Sequence, residues 1–417
     1  MRSILAVLVL AALALAQAEA KQVTFDDSVR GEGNAPAIFM DRAGELYPPA
    51  PVRLDVRELD VTGGDSLFDS ASDPGFATLR ALYRWKSERP HDPDWPALLA
   101  HAGITPTGDF SVDWENVQAI LRQEAARKIS DPGKQSDVVL LVHGYNNSYK
   151  ASSAWYGHAE QKLRAEARNH GRDITFVRLY WDGLDGRTPI FIWTKAQYNG
   201  YIVGVELRRI LSLVDGTTAL RIFTHSSGAF VVTNALGDGS ASAQLCEMPA
   251  DYPDKAAGLT PGYAPPLNLR DLRVAMLIPA QPTTAFGNYF RQATPRCQGP
   301  LVATPSKAAA VPSRLLLGVS KHDLATSKTF IFPCTVLGSS CMAVRVKETC
   351  AMVPAHLHAT YPRVQVVEFV QWPVHGHGVD TYTDDPEWPR FAGALFAPTV
   401  DTSAKVEPVC PVIEASS

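Results

Sequence analysis

The stretch Val138-Val139-Leu140-Leu141-Val142 is apolar at every position, and a strand of that composition requires cover on both faces of its sheet. Similar short runs occupy residues 137–142, 174–180, 220–224, 272–278, 314–319 and 364–370, separated by segments long enough for helices. That spacing is the pattern of βαβ units feeding a parallel sheet, whereas strict alternation would have meant one wet face. The expectation is therefore an α/β fold, a mainly parallel sheet flanked by helices. Helices are expected over 151–168, 195–213, a short stretch directly after Ser226, and 388–396. Within 114–128, Trp114, Val117, Ile120 and Leu121 recur at helical spacing, and Asp131-Pro132-Gly133 ends the helix.

Residues 21–110 are rich in Pro, Gly and Asp with short apolar runs at 52–56 and 76–83. They read as an irregular N-terminal extension packed on a main domain spanning 111–400, with a C-terminal tail at 401–417. Residues 237–270 and 325–360 break the alternation and read as insertions that shape or roof a pocket.

Arg2, the apolar run 4–16 and the small-x-small site Ala18-Glu19-Ala20 have the form of a secretory signal over residues 1–20. That run falls short of the roughly 20 apolar residues a membrane span needs, and no later stretch is long and apolar enough either. A secreted or periplasmic location is expected, with no integral membrane segment after signal removal. The six cysteines, Cys246, Cys297, Cys334, Cys341, Cys350 and Cys410, then read as disulfide-forming in an oxidising compartment. Cys334 with Cys341 and Cys246 with Cys297 would close the shortest loops. No Cys/His cluster has zinc-ligand spacing, and the pair His356 and His358 lacks a third ligand, so no metal is expected. A net charge of −4 without a basic stripe speaks against nucleic acid or an anionic membrane surface as partner and for a small-molecule substrate.

Ligands of an open parallel sheet bind beyond the carboxyl ends of its strands, so the residues following each apolar run carry the functional information. The third run leads through Thr224-His225-Ser226-Ser227-Gly228 straight into Ala229-Phe230-Val231. Strand, sharp turn and helix with small residues flanking a central serine make a nucleophile elbow, with Ser226 as nucleophile. His225 reads as a structural residue of that elbow. The N–H of Ser227 offers one half of an oxyanion hole, and the turn after the first run, His143-Gly144-Tyr145-Asn146, offers the other through Tyr145 or Asn146.

A serine hydroxyl needs an imidazole to take its proton and a carboxylate to orient that imidazole. After the fifth run comes Ser320-Lys321-His322-Asp323, and after the sixth Trp372-Pro373-Val374-His375-Gly376-His377-Gly378. Asp323 is the expected acid, with Asp380 and Asp182 as further candidates; His377 is the expected base, with His375 as the alternative. Gly144, Asn146, Trp181 and Asp182 are expected to line the pocket.

The segments VVLLVHGYNNS (138–148), VRLYWDG (177–183) and IFTHSSG (222–228) resemble bacterial α/β-hydrolases of the DUF900 type. The resemblance covers residues 112–235 well and 236–396 more loosely. It implies an α/β-hydrolase fold with esterase- or lipase-like activity, Ser226 as nucleophile with Asp323 and His377 after later strands, and no cofactor. Ser227 stands where that family usually has methionine, and Trp181-Asp182-Gly183 replaces the usual Trp-Pro-Ser. The same triad would serve an amidase or an acyltransferase, because it defines acyl transfer and not the leaving group. A catalytically inactive secreted binding module on the same fold is the alternative from outside enzymology.

Overall fold

Strand β3, Asp137–Val142, is buried at each of its positions, as the uniform apolarity of 138–142 requires. The computed structural model describes residues 35–41, 43–47, 95–130, 136–145, 147, 149–181, 183, 189–237, 265–281, 312–320, 323, 364–369 and 377–398. All six cysteines, His356, His358, the signal-like segment, residues 238–264 of the first expected insertion and the whole of the second lie outside them.

In chain order the elements are β1 (Ala37–Met40), β2 (Leu46–Tyr47), α1 (Trp95–His101), α2 (Phe110–Ile129), β3, α3 (Tyr149–Asn169), β4 (Ile174–Trp181), α4 (Pro189–Leu211), β5 (Ala219–His225), α5 (Gly228–Leu236), β6 (Asp271–Leu277), β7 (Arg314–Val319), β8 (Val364–Glu368), α6 (Val379–Thr383) and α7 (Trp388–Phe396). They form an eight-stranded sheet of order β2-β1-β4-β3-β5-β6-β7-β8. Seven strands are parallel, and β2 alone runs antiparallel to its neighbour β1. All six expected strands form, within a residue or two of the expected ends.

Helices cover both faces. On one, α3 packs against α6 and α7; on the other, α4 packs against α2 and α5. Tyr156, Ala159, Leu163 and Ala167 recur at three- and four-residue spacing along α3 and are all buried. Phe223 of β5 meets Trp155 of α3 and both Trp388 and Phe391 of α7 at ring-centroid distances of 6.0–6.3 Å. Asp109 caps α2, its carboxylate accepting from the N–H groups of Ser111 at 2.9 Å and Val112 at 3.3 Å. Among the described residues no helix is long and apolar enough to cross a membrane.

Residues 37–40 and 46–47 correct the reading of 21–110 as irregular. Ala37-Ile38-Phe39-Met40 enters the sheet parallel to β4, in register from Ala37↔Arg178 to Met40↔Trp181. Four residues are too few for a period to show, and β1 becomes a strand because the edge of β4 offers it a row of hydrogen-bonding groups. Helix α4 likewise begins at Pro189, ahead of the expected 195, with proline at the first helical position where its missing N–H costs nothing.

At the amino-terminal edge of the sheet, Arg221 bridges Asp137 at 3.2 Å and Asp271 at 2.9 Å, and Arg273 meets Asp271 at 2.9 Å. Arg273 also donates to the carbonyl of Leu395 at 3.1 Å, and Arg314 to those of Ala394 and Pro398. Two guanidinium groups thus meet the carbonyl end of α7, where positive charge is favoured. The opposite edge is left to the strand ends that carry the reactive residues.

Candidate active site

Going outward from β3, β4 lies on one side and β5 on the other, and the carboxyl ends at such a switch point are where open parallel sheets bind ligands. Val142 pairs with Thr224 in the last register of β3 and β5, so the turn 143–145 and the turn at Ser226 emerge side by side.

Ser226 has φ 55°, one of two non-glycine residues with positive φ among those described. A left-handed serine stores about 1–3 kcal/mol and persists only where its surroundings hold it. Here its N–H donates to Leu277 O at 3.1 Å, and its carbonyl accepts from Ala229 N at 3.2 Å and Ala280 N at 3.1 Å. The turn is pinned to the end of β6 as well as to α5. Gly228 admits the close crossing: a Cβ there would stand 2.5 Å from Val142 O and 2.6 Å from His143 O. Gly144 does the same for the facing turn, since its Cβ would meet Ser226 Cβ at 2.8 Å.

His377, beside the amino end of α6, places Nδ1 2.7 Å from Asp323 Oδ2. A carboxylate can only accept, so Nδ1 carries the proton and Nε2 the lone pair. Nε2 is buried without a hydrogen-bond partner. The His377 ring lies against that of His225, centroids 4.6 Å apart, which sets it beside the elbow. Asp323 is 0% exposed and also accepts from the Tyr382 hydroxyl at 2.5 Å. Asp380, by contrast, is exposed at the start of α6. Burial, with His377 beside it, pushes His225 down to about 3, so its ring is neutral.

The Tyr145 N–H, expected to serve an oxyanion, donates to Ser227 Oγ at 2.6 Å. Ser227 N lies at the head of α5, where helical N–H groups have no intrahelical acceptor. Trp181 acts as a brace: its indole N–H donates to His143 O at 2.8 Å and its backbone N–H to His143 Nε2 at 3.1 Å. Since Nε2 accepts, the His143 proton sits on Nδ1, which donates to Gly144 O at 2.6 Å. Burial pushes His143 down to about 4, in keeping with that neutral tautomer. His143 thus ties the turn after β3 to the end of β4.

The structure brings Ser226, Ser227, Tyr145, Gly144 and Trp181 together at the ends of β3, β4 and β5, and joins Asp323 to His377 beside them. Asn146, Asp182 and His375 lie outside the described residues. His143 and Tyr382 were not singled out from sequence. The signal available was position alone, directly after a buried strand for the first and on the turn of helix following the base for the second. Among the described residues no three His, Cys, Asp or Glu side chains gather where they could hold a metal ion. Compared with protein-family models, curated proteins and solved structures, the chain finds no match.

Proposed function

We propose that the chain is a secreted or periplasmic serine hydrolase of the α/β-hydrolase fold that cleaves a carboxylic ester through an acyl-enzyme on Ser226. The observation that carries this reading is the His377–Asp323 pair, its Nε2 buried and unpartnered, beside a serine at φ 55° between strand and helix. Binding alone gives no reason to hold a serine in a strained turn next to an oriented imidazole. The resemblance of 138–148, 177–183 and 222–228 to DUF900-type hydrolases points the same way, on short motifs.

In this reading Ser226 Oγ attacks the acyl carbon while His377 Nε2 takes the hydroxyl proton, and Asp323 stabilises the imidazolium. The oxyanion is met by the Ser227 N–H and, once released from Ser227 Oγ, the Tyr145 N–H. The ester C–O bond breaks as His377 returns the proton to the leaving alkoxide. Water, deprotonated by the same imidazole, then releases the carboxylic acid and free Ser226. Ser226 and His377 are not hydrogen-bonded in the resting structure, as is common before substrate aligns such a pair.

The test is labelling of the mature, oxidised protein with a fluorophosphonate, with the adduct located by mass spectrometry in wild type, Ser226→Ala and His377→Ala. An adduct on Ser226, absent from both variants, is the expected result. A folded wild type that takes no label overturns the hydrolase reading and leaves a binding module on the same fold.

A further inference from the structure

A carboxylate as buried as Asp323 must be hydrogen-bonded or lose its charge. Two donors meet on one of its oxygens: His377 Nδ1 and the Tyr382 hydroxyl lie 2.7 Å and 2.5 Å from Oδ2. Tyr382 is itself 0% exposed on α6, its ring against Phe369 at 5.3 Å between centroids. Burial together with Asp323 raises the phenol above its ordinary range, keeping it protonated, while Ser320, which follows β7, pulls it the other way. Tyr382, Asp323 and His377 thus link α6 and the segment after β7 through one carboxylate oxygen.

We propose that Tyr382 is a positioning residue of this site, whose hydroxyl locks Asp323 Oδ2 onto the His377 Nδ1–H and shares the charge of that oxygen. The proposal rests on the acyl-transfer reading above. The terminal torsion of an aspartate is broad and two-fold, and a second donor on the oxygen that accepts from His377 holds that oxygen against rotation. An O–H···O⁻ bond is also among the strong ones, and it draws charge away from the imidazole. Without it, Asp323 turns more of its charge toward His377, which becomes easier to protonate and less firmly aimed.

Among the described residues, the titratable groups bearing on this cluster are His225 from the end of β5, His143 from the end of β3 and Asp385 from the turn between α6 and α7. All three persist in Tyr382→Phe, so a difference between that variant and wild type reports the hydroxyl. The measurement is titration of His377 by NMR on protein selectively ¹⁵N-labelled at histidine, the resonance being assigned by its loss in His377→Gln. Fluorophosphonate labelling rates are followed in parallel. In Tyr382→Phe the His377 midpoint should rise by on the order of 0.5–1 pH unit, the size that loss of a neighbouring hydrogen bond produces. Labelling of Ser226 should slow by roughly three- to tenfold, which corresponds to about 1 kcal/mol. Ser320→Ala, which removes support from the phenol without touching Asp323's donor, should move the same midpoint in the same direction by less. An unchanged His377 midpoint in both variants overturns the proposal, even if the melting temperature falls, because packing alone would produce the latter. The titration needs no turnover, so a wild type that fails to label strikes the hydrolase reading, and an unmoved midpoint strikes the role of Tyr382.

Discussion

The backbone N–H of Tyr145 is satisfied by the side chain of Ser227, at 2.6 Å, across a pair of turns that belong to different strands. An acceptor at that distance stands where a substrate oxyanion would have to stand relative to the same donor. Ser227→Ala removes the competing oxygen. A typical neutral hydrogen bond is worth about 1 kcal/mol net, so acylation of Ser226 should quicken by about fivefold. The check is the fluorophosphonate labelling rate of the two proteins; a slower rate in Ser227→Ala would mean that the hydroxyl helps the reaction.

Gly144 and Gly228 should respond differently to an added methyl group. At Gly228 the new Cβ meets two backbone oxygens, at 2.5 Å and 2.6 Å, neither of which can rotate away. Gly228→Ala is expected to cost about 1–3 kcal/mol of stability, as overpacking does, read as a lower urea midpoint. At Gly144 the nearest atom is Ser226 Cβ at 2.8 Å. Gly144→Ala should displace the nucleophile and suppress labelling with a smaller change in stability. Full labelling of Gly144→Ala would contradict the close approach of the two turns.

Acid should weaken the fold through two histidines. Burial holds His143 down to about 4, and burial with His377 beside it holds His225 down to about 3, against about 6.5 in the unfolded chain. Between those values the unfolded chain binds more protons than the native one, so stability rises with pH across the window. The contribution is fully present above about 6.5 and is lost as pH falls toward about 4 for His143 and about 3 for His225. Each imidazole adds a slope of up to about 1.4 kcal/mol per pH unit. Urea unfolding between pH 7 and pH 5, where carboxylates still contribute little, should show this slope roughly halved in His143→Gln. A slope identical to wild type would mean that His143 is protonated in the native state.

Arg178 of β4 and Glu160 of α3 form a buried pair, N to O 2.6 Å, the guanidinium side chain 0% exposed. Removing the guanidinium leaves the Glu160 charge buried without it, and breaking such a pair typically costs about 3–5 kcal/mol. Arg178→Met should therefore destabilise by that order, while Arg178→Met combined with Glu160→Gln should recover part of the loss. Thermal melts of both single variants and the double variant close the cycle; strict additivity would show the two groups to be energetically independent.

Local physics made much of the scaffold readable. A run such as 138–142, apolar at every position, can be satisfied only inside a two-faced sheet, and strand followed at once by Ser226, Ser227 and Gly228 leaves few backbone shapes besides a sharp turn into a helix. The placement of Asp323 and His377 just past later strands also follows from reading strand ends. Strand β1 was not legible, because four apolar residues have no measurable period until the edge of β4 recruits them. Tyr382 and His143 were not legible as site residues either, because a tyrosine on a helix or a histidine after a strand carries no mark of its future partner.

What the chain determined by itself is therefore what near neighbours decide: which segments extend, which coil, and where the backbone must turn tightly enough to exclude a Cβ. The tertiary structure alone decided the order β4-β3-β5 that sets two turns side by side, the seating of Tyr145 on Ser227, and the meeting of Asp323 with both His377 and Tyr382. These pairs are separated by 82, 54 and 59 residues along the chain. Their geometry depends on how a sheet twists and stacks its helices, a property of the whole assembly that no local pattern of side chains encodes.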